Sequence, residues 1–194
     1  AGTLDPQMLP TKLQTAINAL YGHYARTFEL WQECKIPVPP CFIIVCQNTT
    51  ISKLVYDYVS GYHITQADGT TILRNGNLPL FRNYDEGTGD PFPRPNTILV
   101  DSEELESGES LDQAFRAVAS DEIERFRRQI IEQTNDPRAA DTIDDARLLR
   151  EVLNTVGKAG QLGAGIRCVV SVSMLTEGWD ASNVTHILGI RAFG

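Results

Sequence analysis

The sequence predicts an α/β domain: a mostly parallel sheet flanked by helices and preceded by an N-terminal helix. Apolar runs at Cys41–Cys46 and Thr97–Val100, and the run that 166–170 enters, are rich in β-branched residues, as strands buried on both faces are. Stripes of apolar residues at three- and four-residue steps lie between them. The stretch from Val170 to Asp180 then leads into Val184–Leu188. Two β-rich runs are thus joined through a loop holding a hydroxyl, two carboxylates and a glycine. Open parallel sheets place their ligands at the carboxyl ends of strands, so this loop is where a site is expected.

The elements follow in order. Between Pro10 and Glu33 the positions Leu13, Ile17, Leu20, Tyr21, Tyr24, Phe28 and Trp31 form one amphipathic stripe, which predicts a helix packed on the body of the same protein. Three prolines in Lys35–Pro40 stop it and suggest a linker, so residues 1–39 are set apart from 40–194. After the strand at 41–46, one of Asn48, Thr49 or Thr50 caps a second helix marked by Ile51, Leu54, Val55, Tyr58 and Val59 and ended by Gly61. Its first turn offers free backbone N–H groups to a phosphate, although by itself the segment is an ordinary capped helix. Residues 62–96 are polar and turn-rich and are expected to form an insert, with a hairpin signal at Asn75-Gly76 weakened by Pro79. A helical pattern runs from Leu111 to about Thr134, and another from Ile143 to Val156 stops at Gly157. The order of strands and helices favours a parallel sheet with short, right-handed connections.

Composition narrows the function. A chain of 194 residues, 42% hydrophobic, can bury a core of one domain with at most an appendage. No apolar run approaches the roughly 20 residues of a membrane span, and the polar start Ala1–Asp5 does not resemble a signal peptide. Cys34, Cys41, Cys46 and Cys168 show no CxxC pair and no histidine at a metal spacing, so free thiols in a reducing, cytoplasmic compartment are expected. The net charge of −8 sits in one region: residues 101–151 hold fifteen acidic and seven basic side chains, and the rest is neutral. A polyanion is therefore excluded only there. Arg125, Arg127 and Arg128 alternate with Glu122, Glu124 and Glu132, which predicts a solvated helix face and not a basic patch.

Chemistry by spacing goes no further than a loop site. Glu177 and Asp180 are a candidate acid and base, but no cysteine or histidine nucleophile accompanies them, and His186 lies inside an apolar run as a strand residue would. Gly160, Gly163 and Gly165 match neither GxGxxG nor GxxxxGK[ST] and precede a strand, so they are a weak phosphate cradle.

The wording of that loop is more specific. Ser173-Met174-Leu175-Thr176-Glu177-Gly178-Trp179-Asp180, with Val184 to Phe193, resembles motif V of superfamily-2 helicases, in particular the helicase subunit of type III restriction enzymes. Phe42 to Thr49 is similar to motif IV of the second RecA-like domain, and Thr97–Ser102, Leu105–Glu109 and Leu153–Lys158 also look like this family. The resemblance covers most of residues 10–194. It implies a RecA-like fold over 40–194 and a motor in which two such domains clamp ATP and Mg²⁺ and walk along DNA. By that resemblance Thr176, Ser173, Asn48 and Thr49 contact the nucleic-acid backbone, positioning without reading sequence. Glu177, Gly178 and Asp180 report on the nucleotide. The partners implied are DNA, a first RecA-like domain, a nuclease domain and a modification methyltransferase, in a bacterial or archaeal cytoplasm.

Departures bear on the expectation. The sequence has no Walker A lysine motif, no D-E-x-H pair and no Q-x-x-G-R-x-x-R arginine motif VI before Gly194, and the motif V threonine that many members place earlier is displaced by Val172. A half-motor that binds no cofactor and is inactive alone is therefore expected. A helicase-derived enzyme acting on RNA or in another DNA pathway and a stand-alone α/β binding module remain as alternatives.

Overall fold

The computed structural model describes residues 5–101, 111, 113–141, 143–172 and 179–191. Four strands, β1 (Cys41–Cys46), β4 (Thr97–Val100), β5 (Cys168–Val172) and β6 (Val184–Gly189), form a wholly parallel sheet in the order β4-β5-β1-β6. β2 (Gly61–Thr65) and β3 (Thr71–Asn75) make a separate antiparallel hairpin.

Alternation along each strand sends side chains to two faces, and each face is covered. Phe42, Ile44 and Cys46 of β1, Leu99 of β4 and Val170 of β5 point toward α1 (Thr11–Glu33) and α2 (Thr49–Ser60). Cys41 and Ile43, Ile98 and Val100, and Val169 point the other way. There they meet α3 (Gln113–Val118), α4 (Ser120–Thr134) and α5 (Asp145–Asn154). The result is three layers, helix–sheet–helix, as expected of a RecA-like domain.

The stripe read from 10–33 is the buried face of α1, with Ile17, Tyr24 and Phe28 packed beside Phe42, Phe81 and Val170. Burying side chains of this size contributes about 1.5–3 kcal/mol each. The Tyr24 hydroxyl donates to the Pro40 carbonyl at 2.7 Å, tying α1 to the proline segment that leads into β1. That hydroxyl's pKa is pushed up, chiefly by burial.

Two elements differ from the sequence pattern. The hairpin turn lies at Gln66–Thr70, where Gly69 takes a positive φ of 84° and the Gln66 amide donates to the Thr70 carbonyl, 2.7 Å. Asn75-Gly76 is not a hairpin turn. Pro79 lacks the N–H a second strand needs, and Pro79–Phe81 instead form a 3₁₀ turn. Gly76 is required for another reason: a Cβ there would stand 2.2 Å from the Val59 carbonyl, so the chain passes directly against the end of α2.

The helix read across 111–134 is broken at Ala119, whose φ of −102° and ψ of 16° separate α3 from α4. Leu111, Phe115, Ala119 and Ile123 nonetheless share one cluster, and Val118 faces solvent.

Asn83 fastens the 62–96 region to the sheet. It is buried, and its Oδ1 accepts from the Asn96 and Thr97 amides at 2.9 and 3.0 Å. Its Nδ2 donates to the Thr97 carbonyl and the Tyr56 hydroxyl at 2.8 and 3.0 Å.

Candidate nucleic-acid and nucleotide interface

The carboxyl edge of the sheet gathers three chain segments. In the parallel register Cys46 pairs with Val172 and Val45 with Gly189. The chain therefore leaves β1 toward Asn48 and leaves β5 toward Ser173 from adjacent strands about 4.8 Å apart. β6 reaches the same edge, where the Ile190 amide donates to the Val45 carbonyl at 2.7 Å.

Asn48 is the N-cap of α2. Its backbone is extended, φ −152° and ψ 166°, and its Oδ1 accepts from the Ile51 amide at 2.9 Å. Thr49 and Thr50, exposed, open the helix. The amides of a first turn have no intrahelical acceptor, and the dipole end is positive. The first turn carries no acidic residue to compete for an anion. Lys53, one turn on, pairs with Asp57 at 3.4 Å and lies over the Tyr56 ring.

Ser173, Thr176, Glu177 and Gly178 lie outside the described residues. Asp180 is described and exposed, and its neighbours anchor it elsewhere. The Trp179 indole N–H donates to the Leu153 carbonyl at 2.8 Å, in the last turn of α5, and Trp179 packs on the α3–α5 face. Asn183, buried, accepts from the Cys41 amide through its carbonyl at 2.8 Å, and its Nδ2 donates to the Pro39 carbonyl at 2.8 Å. Residues 179–183 thus descend along the α5 side to the amino edge, where β6 begins. Among the described residues no contact joins Asp180 to Asn48 or Thr49.

The structure also joins two stretches that sequence reading kept apart, Leu153–Lys158 and Trp179–Asn183. Gly157 has φ +77°, and a Cβ on it would fall 2.3 Å from Asn183 Oδ1. Thr155, buried, donates to the Glu151 carbonyl at 2.7 Å and accepts from the Gly163 amide at 2.8 Å, which closes the loop before β5. Burial raises the Glu151 carboxyl's pKa, with Lys158 and Arg147 pulling it down. The signals for this junction in the sequence were a glycine after a helix and an isolated tryptophan, neither of which names its partner.

Other candidates resolve simply. His186 stacks on Phe42 with ring centroids 5.7 Å apart and 8° between planes, as a half-buried strand residue. Its pKa is lowered by burial, with a smaller push from His23. Cys41, Cys46 and Cys168 are buried free thiols and Cys34 is exposed; burial pushes the Cys41 and Cys46 thiols up to about 12. Arg125 donates to the Gly160 carbonyl at 2.8 Å from an exposed position, and Arg128 is exposed. Among the described residues no cluster of three His, Cys, Asp or Glu side chains is placed to hold a metal. Among them, too, no helix is long and apolar enough to cross a membrane.

No protein-family model, curated protein or solved structure matches this chain.

Proposed function

We propose that this chain is the second RecA-like domain of an ATP-dependent DNA helicase or translocase, and that the enzyme is the restriction subunit of a type III restriction–modification system. One observation carries the reading. The M-L-T-E-G-W-D wording begins directly after β5, on the strand next to the one whose end carries the Asn48-Thr49 helix start. The two segments that resemble helicase motifs are thus entered from the ends of neighbouring strands of one parallel sheet, an edge at which such sheets bind ligands.

In this reading Asn48 and Thr49 hold the helix start against a phosphate of the tracked strand, with Ser173 and Thr176 supplying further hydroxyls. Glu177, Gly178 and Asp180 face the nucleotide. ATP with Mg²⁺ supplies the free energy of translocation in the complete enzyme. The 194 residues contain no Walker A motif, so the phosphate cradle belongs to another domain.

The test is fluorescence anisotropy of residues 1–194 with labelled single-stranded DNA, duplex DNA and RNA across a salt series. Expected is weak DNA binding that ignores sequence and falls with salt, as few-phosphate contacts do. The Asn48→Ala/Thr49→Ala double variant should bind at least threefold more weakly while keeping its circular dichroism. No binding at low salt, or unchanged binding by the double variant, overturns the assignment. Preference for RNA would overturn the restriction reading alone.

A further inference from the structure

A second cleft lies at the opposite, amino edge of the sheet, about 20 Å from the helix start at Asn48 by the six-residue length of β1. Its volume is about 210 Å³. The last turns of α1 wall it with Phe28 and Trp31, the proline segment walls it with Ile36 and Val38, and Arg167 enters from the residue before β5.

Arg167 is what makes this cleft chemically specific. Its guanidinium lies 4.7 Å over the Phe28 ring, and Nη1 donates to the Leu80 carbonyl at 3.1 Å. It belongs to none of the ion pairs formed among the described residues. The acids on this part of α1, Glu29 and Glu33, are exposed to solvent. A guanidinium has five N–H donors in a planar fork matched to a carboxylate. Here one acceptor is shown, the ring beneath is apolar, and burial lowers the group's pKa. A half-buried cation with no counter-ion among the described residues is costly, and an anion that brings its own apolar body relieves that cost while covering Trp31 and the aliphatic wall.

We propose that this cleft binds a small apolar carboxylic acid the size of phenylacetate, its carboxylate on Arg167 and its ring or branched chain between Phe28, Trp31 and Val38. The site is independent of the helicase reading and lies at the other edge of the sheet.

The test uses ¹⁵N-labelled protein titrated with phenylacetate and, separately, with the neutral isostere phenylacetamide. The protein has two indole N–H groups, and that of Trp179, bonded to Leu153, is the internal control. Expected for the acid is a saturable shift of the Trp31 indole and Arg167 Nε–H signals with Kd on the order of 1 mM, as ligand efficiency allows for so few atoms. The amide should bind at least tenfold more weakly, and the Trp179 signal should stay still. Arg167→Met should abolish the preference for the acid. Gly165→Leu covers the case in which that variant fails to fold. Gly165 lines the cleft, and a Cβ there meets nothing within 4 Å, so leucine adds bulk at the cleft wall with no clash at its Cβ. Binding by Gly165→Leu should be lost. Equal affinity for acid and amide, shifts at Trp179 that track Trp31, or undiminished binding by Gly165→Leu would each overturn the proposal.

Discussion

Replacing Gly157 by alanine tests whether the loop after α5 and the segment entering β6 form one packed unit. Two costs arise. Alanine at φ +77° occupies the left-handed region, which costs about 1–2 kcal/mol. Its Cβ would also stand 2.3 Å from Asn183 Oδ1 and 2.6 Å from Cγ, so Asn183 must move. Asn183 is held by Pro39 through Nδ2 and by Cys41 through its carbonyl, so it cannot move freely, and overpacking of this kind costs about 1–3 kcal/mol more. The sum, about 2–5 kcal/mol, shifts a urea midpoint by roughly 1–2 M at the slope typical of small proteins. Asn183→Ala alone loses the Pro39 bond but also removes a buried Oδ1 that has no partner, so its cost is about 1 kcal/mol or less. In the double variant the two shortest contacts are gone and the Asn183 Cβ stands 3.2 Å away. Urea unfolding of all four proteins, followed by circular dichroism, should therefore show that Asn183→Ala rescues about 1–3 kcal/mol of the Gly157→Ala loss. Additivity within about 0.5 kcal/mol would refute the contact.

Three further outcomes follow from the same geometry. Asn83→Ala strips acceptors from two amides and a donor from a carbonyl and a hydroxyl, so it should cost at least about 3 kcal/mol and expose the Thr97 amide to hydrogen exchange; protection equal to the parent would contradict the stapling role. His186 has a lowered folded pKa, so the unfolded chain takes up the proton first and stability should decline as pH falls below about 6.5. His186→Gln should flatten that part of the urea-midpoint profile, and an unchanged slope would dismiss the residue as its source. In the complete motor, Asp180→Ala should uncouple ATP hydrolysis from DNA translocation, read as phosphate release per base pair travelled, and coupled turnover at the parental ratio would remove Asp180 from the proposed nucleotide side.

The parallel sheet was legible because two of its strands are written as short apolar runs: Cys41–Cys46 and Thr97–Val100 begin and end where the pattern does. α1 and α2 were legible for the related reason that a 3.6-residue stripe and a capping residue are local signals. What failed were features set by neighbours distant in sequence. Asn75-Gly76 carries the residues of a tight turn, yet Gly76 is there because the end of α2 passes against it. The break at Ala119 left no mark in the sequence either, since Phe115, Ala119 and Ile123 keep the four-residue spacing of one continuous helix face. Arg167 gave no signal at all; only the fold sets it over Phe28 with one acceptor.

The same division runs through the candidate site. Asn48 was readable as a cap, and the Ser173–Asp180 wording carried its own resemblance. The attachment of that segment was not readable, because it depends on α5. Trp179 is bonded to the Leu153 carbonyl, Asn183 to Pro39 and Cys41, and Asn183 fills the space a Cβ on Gly157 would need. Residues 173–178 are therefore bounded by β5 on one side and by a fixed indole on the other. In the proposed motor, a nucleotide-driven change at Glu177 or Gly178 would reach the last turn of α5 through that indole before it reached β6. Trp179→Phe keeps the ring packed but deletes the bond to Leu153, and so separates the mechanical link from the hydrophobic one.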